Sequence, residues 1–306
     1  LFTLTEINLT TIALIGMDVG FAIFVGMTMY HFEQVFPRDE ENSYFSFLRY
    51  FQKLPSVFLS GIFLYASVYV HNLIYWFFSG NHLLVADRFR LMPFYDLPVF
   101  YAYLTVVPSL VMFVVIVETD FYEKFLSFYK NIIDGGTFNS IQIAKKEMQN
   151  VLFLRIGFVV EVQLVFTALS IALGLIYLPR IGFSMEQLDL FIFLCLGYFF
   201  YIIAFIVIHA LMYFDDRKGV LWISALLFFS NAILTYVSMN MGIDGLGIFI
   251  AAFVTLVVAI ARLLYMLSNL YYYTFCSQPI TTQKKKFKAS KGIITMLLIV
   301  SIILAG

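Results

Sequence analysis

The chain has 306 residues, of which 62% are hydrophobic and only 12% charged; its 19 basic and 19 acidic side chains cancel. Soluble domains run at about 45–50% apolar and 25% charged residues, so an ordinary soluble protein is excluded, and zero net charge removes any strong electrostatic pull toward nucleic acid. Of the two cysteines, Cys195 falls inside an apolar run and Cys276 in a polar tail, so no disulfide framework is expected.

Seven stretches reach the ~20 apolar residues that a helix needs to cross the hydrocarbon layer. In lipid only a helix satisfies its own amides, which makes them helices and not strands. The first, 10–30, is the least apolar and holds Asp18 near its centre (IGMDVGF). A polar linker, 31–54, leads to the second span, 55–78, whose outer half carries His71 and Asn72. The third span, 95–118, contains Pro108, which should kink it because proline lacks an amide donor.

The connection that follows is patterned. In residues 119–134, Phe121, Phe125, Phe128, Tyr129 and Ile132 recur at helical spacing, with Glu123, Lys124 and Lys130 turned away. This predicts an amphipathic helix at the membrane surface. Gly135-Gly136 should end it, and Thr137 or Asn139 should cap a second helix carrying Ile141, Ala144, Lys145 and Met148. The fourth span, 155–178, holds Glu161 and Gln163; spans at 189–214, 219–239 and 245–270 follow, the last with Arg262 close enough to its end to snorkel. A basic stretch, KKKFKASKG, then precedes IITMLLIVSIILAG, which is built like a signal sequence or an eighth span.

Basic residues alternate between loops. Fifteen of the 19 lie in 31–54, 119–155, 215–218 and 271–291; Arg88, Arg90 and Arg180 lie in the other loops, and Arg262 is within a span. Cytoplasmic loops retain Lys and Arg, so the first set is expected inside, with 10–30 running from outside to inside. The chain starts at Leu1 and stops in an apolar run at Gly306. It is therefore expected to be a piece of a longer protein: 1–30 the last helix of an N-terminal lobe, 31–54 a cytoplasmic linker, 55–276 a six-helix lobe, and 277–306 a basic tail with a signal-like or spanning segment.

Ionisable and amide groups inside spans are costly and commonly line a pathway. Asp18, Glu161, Gln163 and His71 are the transport-pathway candidates, the alternative being polar groups satisfied by neighbouring helices. Glu161 and Gln163 are two apart, so they cannot share one helix face. Phosphate-loop, dinucleotide, HExxH, CxxC and GxSxG motifs are absent from the sequence. The four His residues (31, 71, 82, 209) are scattered, so neither a catalytic site nor a metal or cofactor site is expected. An intramembrane transferase built on His209 or His71 is the enzymatic alternative. A small-molecule exporter is the other transport reading, and a purely structural assembly subunit the third.

The blocks YFSFLRYFQKLPSVFLSGIFLYASVYVHNLIYWFF, MPFYDLPVFYAYLTVVPSLVMFVVIVETDFYEKFLSFYKNI, YFDDRKGVLWISALLFFSNAILT and YYYTFCSQP, in this order across roughly 43–279, resemble the PelG family of Pel exopolysaccharide transport proteins. That family is usually placed beside the multidrug and polysaccharide flippases. The resemblance implies an all-α polytopic fold of two six-helix lobes, of which this chain holds the sixth helix and the second lobe. It also implies export of a cationic amino-sugar polymer across the bacterial cytoplasmic membrane, with a cytoplasmic glycosyltransferase and accessory membrane proteins as partners. Two departures stand out: the family pattern has a basic residue where VHNLIYWF carries Asn72, and it does not extend past about residue 280.

Overall fold

Seven helical segments among the described residues are long and apolar enough to cross a bilayer, and the described fold is all-α apart from one short hairpin. The structure is a computed structural model that describes residues 9–35, 48–80, 82–85 and 88–275. Most of the linker, Cys276 and the basic, signal-like segment at 277–306 lie outside the described residues.

The chain divides at Pro55/Ser56 into two units. The first holds α1 (Leu9–Val35) and the short α2 (Leu48–Lys53). α1 is apolar around most of its circumference, the pattern of a membrane-spanning helix. Asp18 is exposed within this unit. In α2 the Lys53 ammonium sits 5.1 Å from the centre of the Tyr50 ring.

The second unit begins with α3 (Pro55–Phe78), followed by an antiparallel hairpin of β1 (Leu83–Val85) and β2 (Phe89–Leu91), with Leu83 opposite Leu91. The third span is not one helix. α4 (Pro93–Leu104) stops at Thr105 and α5 (Val107–Ile116) starts after Val106. The break precedes Pro108, which lacks the amide that the Leu104 carbonyl would accept from and whose ring crowds that carbonyl. A π turn, 117–121, then leads into α6 (Tyr122–Ile133).

Gly135 at φ +72° turns the chain, as the Gly-Gly pair suggests, and the Thr137 side chain caps the next helix by accepting from the Ser140 amide. The sequence predicts a separate short helix there and a span from 155. Instead α7 runs unbroken from Phe138 to Tyr177, because Gln149–Arg155 contains neither glycine nor proline. At 1.5 Å per residue these 40 residues extend ~60 Å, twice the ~30 Å hydrocarbon thickness. α6 runs antiparallel to the first half of α7: Lys124 Nζ pairs with Glu147 at 2.8 Å and Arg155 with Asp120 at 2.6 Å. The two form a hairpin that outruns the membrane.

The apolar face of α6 meets its own chain. Phe121 and Phe128 are buried; Phe121 packs edge-on to Tyr213 and Phe214, and Phe125 does the same. The arc that the sequence assigns to lipid is thus used for closing α6 onto α7 and the end of α8.

α8 (Met185–Tyr213) is the hub, packed by α4, α7, α9 (Arg217–Asn240) and α10 (Leu246–Ser268); α11 (Leu270–Phe275) follows. It starts with a reciprocal capping box between Ser184 and Gln187. Lipid tails are as apolar as leucine, so helices associate by close packing rather than by escape from water. Small residues mark the contacts. A Cβ on Gly247 would run into the Thr235 backbone, one on Gly174 into the Phe191 ring, and one on Gly197 would come within 3.2 Å of Ile248. Buried polar groups on α9 tie it to α3: Asn231 Nδ2 donates to the Ser67 carbonyl at 2.8 Å, and Thr235 Oγ1 donates to Asn231 Oδ1 at 3.0 Å.

Candidate functional site

The segment HNLIYW on α3 places His71 and Tyr75 one turn apart on one face, and Asn72 and Trp76 on the neighbouring face. Each pair finds a different partner. The Asp96 carboxylate, in the first turn of α4, accepts from Asn72 Nδ2, from Trp76 Nε1 and from the Met92 amide, all at 2.9 Å. It joins α3 to α4 and closes the start of α4.

His71 is fully buried between two phenols, with Nε2 3.1 Å from Tyr198 Oη and Nδ1 3.1 Å from Tyr95 Oη. A neutral imidazole has one donor and one acceptor, so one tyrosine donates to it and the other accepts from it. The Tyr95 ring stacks on Tyr75 with centroids 3.6 Å apart, and Tyr75 Oη donates to Asp244 Oδ1 at 2.5 Å. Hydrogen bonds therefore link Tyr198, His71 and Tyr95, a ring stack joins Tyr95 to Tyr75, and a hydrogen bond from Tyr75 reaches Asp244, in the loop joining α9 to α10. His71 has both ring nitrogens occupied and pins three helices together.

At the same end of the lobe a groove opens beside Asp244, lined also by Glu186, Asp189, Phe94 and Phe193. Three carboxylates and two aromatic rings make a surface suited to cations with apolar faces. Sequence reasoning misses Asp244, because it lies in a short loop, and also Tyr75, Tyr95 and Tyr198, because by hydropathy they count only as members of apolar runs.

Glu161 and Gln163 part as their spacing requires: Glu161 is exposed and Gln163 fully buried. The Gln163 amide reaches the α4–α5 break, where Nε2 donates to the Thr105 carbonyl at 3.3 Å and to Thr167 Oγ1 at 3.0 Å. Asp18 lies in the first unit, whereas Glu161, Gln163 and His71 lie in the second. His71 and Gln163 both meet polar groups of α4, but at different depths.

The opposite end of the lobe is held by ions. Arg262 donates from Nε to Asp216 Oδ2 at 2.6 Å and from a terminal nitrogen to Oδ1 at 2.8 Å, while Asp216 Oδ1 also accepts from the Gly219 amide and so caps α9. Arg262 is thus paired, which a snorkelling side chain need not be. Among the described residues no group of three or more His, Cys, Asp and Glu is placed to hold a metal ion.

Comparison with known proteins gives one match. The family model for PelG, described as "Putative exopolysaccharide Exporter (EPS-E)", matches residues 1–275. No curated protein matches the chain, and neither does any solved structure. The chain belongs to the PelG family of exopolysaccharide exporters, and it is a multi-pass membrane protein with a polysaccharide as its family's substrate.

Proposed function

We propose that this PelG-family chain forms part of an exporter that moves a Pel-type, cationic, amino-sugar-rich polymer across the bacterial cytoplasmic membrane. The match over residues 1–275 carries the reading. The charge pattern supports its orientation: loops rich in Lys and Arg, including the α6–α7 hairpin, face the cytoplasm, and the β hairpin and the α9–α10 loop face outward. In that orientation the groove of Glu186, Asp189 and Asp244 lies on the exit side. Carboxylates there, and Asp18 and Glu161 at membrane depth, balance ammonium groups on the polymer, and the balance is strongest where water is scarce. Phe94 and Phe193 offer apolar faces to sugar rings.

A cytoplasmic glycosyltransferase and accessory membrane proteins complete the assembly in this reading. The α6–α7 hairpin, which outruns the hydrocarbon layer, is the surface on this chain best placed to meet them. The test is deletion of the full-length gene, followed by measurement of extracellular amino-sugar polymer against polymer retained in the cell. Loss outside with synthesis intact, restored by the full-length gene, is the expected result. Unchanged secretion would overturn the reading in favour of a small-molecule exporter, and secretion of an altered polymer would point to a modifying enzyme.

A further inference from the structure

One face of α3 is left open by the packing of its unit. It carries Ile62, Tyr65, Tyr69 and Leu73 at helical spacing, each between 42% and 64% exposed. The two tyrosines stand one turn apart at the middle of this 24-residue helix, with aliphatic residues on either side. Membrane helices ordinarily carry tyrosine at their ends, where the ring lies among headgroups and the hydroxyl reaches water. Here the order is reversed. Among the described residues neither hydroxyl has a hydrogen-bond partner. In hydrocarbon such a group would keep its full desolvation cost. A face turned to lipid is served by rings without hydroxyls, as α3 has at Phe58 and Phe77.

The surroundings of these tyrosines are aromatic as well. The Tyr65 ring meets Phe205 of α8 edge-on, with centroids 6.1 Å apart. Tyr103, half-buried at the end of α4, lies near enough to Tyr65 and Tyr69 for the phenols to interact electrostatically. On α8 the row Tyr201, Phe205 and His209 runs ~12 Å along the helix, with ring centroids 6.2 Å and 4.1 Å apart in turn. His209 Nδ1 donates to the Phe205 carbonyl at 2.8 Å, so Nε2 is left as an acceptor. A sugar ring has the matching chemistry: apolar C–H faces and hydroxyls around its rim. An aromatic ring stacks on the first, and a phenol or imidazole exchanges hydrogen bonds with the second. An acyl chain can use only the apolar half of such a surface.

We propose that the Tyr65–Tyr69 face of α3, with Tyr103 and the Tyr201–Phe205–His209 row of α8, is the track that carries the polysaccharide past the middle of the bilayer. Sugar rings rest on the aromatic rings, and sugar hydroxyls exchange bonds with Tyr65, Tyr69 and His209. Repeated weak contacts of one kind suit a substrate that has to keep moving, since none of them holds one sugar in place. No carboxylate is among these groups, so the track accepts neutral and cationic sugars alike and leaves selection by charge to the groove beside Asp244. The assignment rests on the export reading above.

The test is made on the full-length protein in secreting cells. Tyr65→Cys and Tyr69→Cys are treated with N-ethylmaleimide, which reacts with the thiolate and so reports a hydrated position. Treatment is carried out with polymer synthesis running and with it blocked, and modification is read at each position by peptide mass. Modification in the blocked state and several-fold protection during synthesis are expected. Tyr65→Phe combined with Tyr69→Phe keeps both rings and removes both hydroxyls; it should lower export about tenfold at unchanged abundance, the equivalent of two ordinary hydrogen bonds. Tyr65→Leu combined with Tyr69→Leu removes the rings too and should abolish export at unchanged abundance. No modification in either state would show that lipid or protein covers the face, and modification that synthesis does not reduce would show that the polymer passes elsewhere. Either result overturns the track, as does normal export by both double variants. The export reading fails separately: secretion unchanged after deletion of the gene removes the transporter, whereas secretion that needs the gene but not these tyrosines removes only the track.

Discussion

Replacing Asp216 tests how the lobe is fastened at its basic end. The carboxylate does two things at once: it caps α9 through the Gly219 amide at 3.1 Å and holds Arg262 in a two-point ion pair at 2.6 and 2.8 Å. Loss of an N-cap costs about 0.5–2 kcal/mol. Breaking a fully buried pair costs about 3–5 kcal/mol, but the Arg262 side chain is 32% exposed and Asp216 only 6%, so water recovers part of the loss and about 1–2 kcal/mol is the reasonable share. Asp216→Ala should therefore destabilise the protein by about 1.5–4 kcal/mol. Asp216→Asn keeps an acceptor for the cap and loses only the charge, and should cost about half as much.

The assay is unfolding in mild detergent for Asp216→Ala, Arg262→Met and the double variant. The double variant should be more stable than the sum of the singles by about 1–2 kcal/mol, the coupling of the pair. A coupling of zero, with Asp216→Asn as stable as the parent, would refute the reasoning and return Arg262 to a solvated, snorkelling role. Gly219→Ala provides an independent check, since a Cβ there would collide with the Asp216 carboxylate and come within 2.8 Å of Arg262 Nε.

Gly247→Val should abolish accumulation of folded protein, because its side chain would occupy the place of the Thr235 backbone; normal yields from membranes would show that α9 and α10 are not so closely packed. His71→Phe leaves the Tyr95 and Tyr198 hydroxyls unpaired and should cost about 2–4 kcal/mol, about 1–2 for each group. If its role is to pin helices, export per folded molecule stays normal; a loss of export at full abundance would place His71 in the pathway instead. Asp18→Asn and Glu161→Gln should each reduce polymer export while the protein remains abundant, and normal export in both would remove them from the pathway. Charges at Phe121, Phe125 and Phe128 should lower abundance by preventing α6 from closing on Tyr213 and Phe214, which a protease-resistance assay on membranes would detect; unchanged resistance would show that α6 does not rest on that contact.

Much of this architecture is local in origin. Whether a stretch crosses the bilayer depends on transfer free energies summed over ~20 neighbouring residues, so the seven spans are legible in the sequence, as are the helix stop at Gly135 and the cap at Thr137. Pro108 announces its own break because the missing amide is a property of that residue. Spacing alone separates Glu161 from Gln163.

The partners of polar groups are another matter. Tyr75 meets Asp244 169 positions later, His71 meets Tyr198 127 later, and Asp216 meets Arg262 46 later. Hydropathy counts a buried tyrosine with its apolar neighbours and treats a loop aspartate as solvated, whatever stands opposite. Nor does the amphipathic pattern of α6 say which apolar surface it will meet, lipid or protein, since both offer the same transfer free energy. Only the antiparallel run of α7 and the end of α8 decide that. Sequence determined where the chain enters and leaves the membrane, because that is a sum over neighbours. Tertiary structure decided which of its polar groups are satisfied and which are left open, because that depends on atoms brought together from distant parts of the chain.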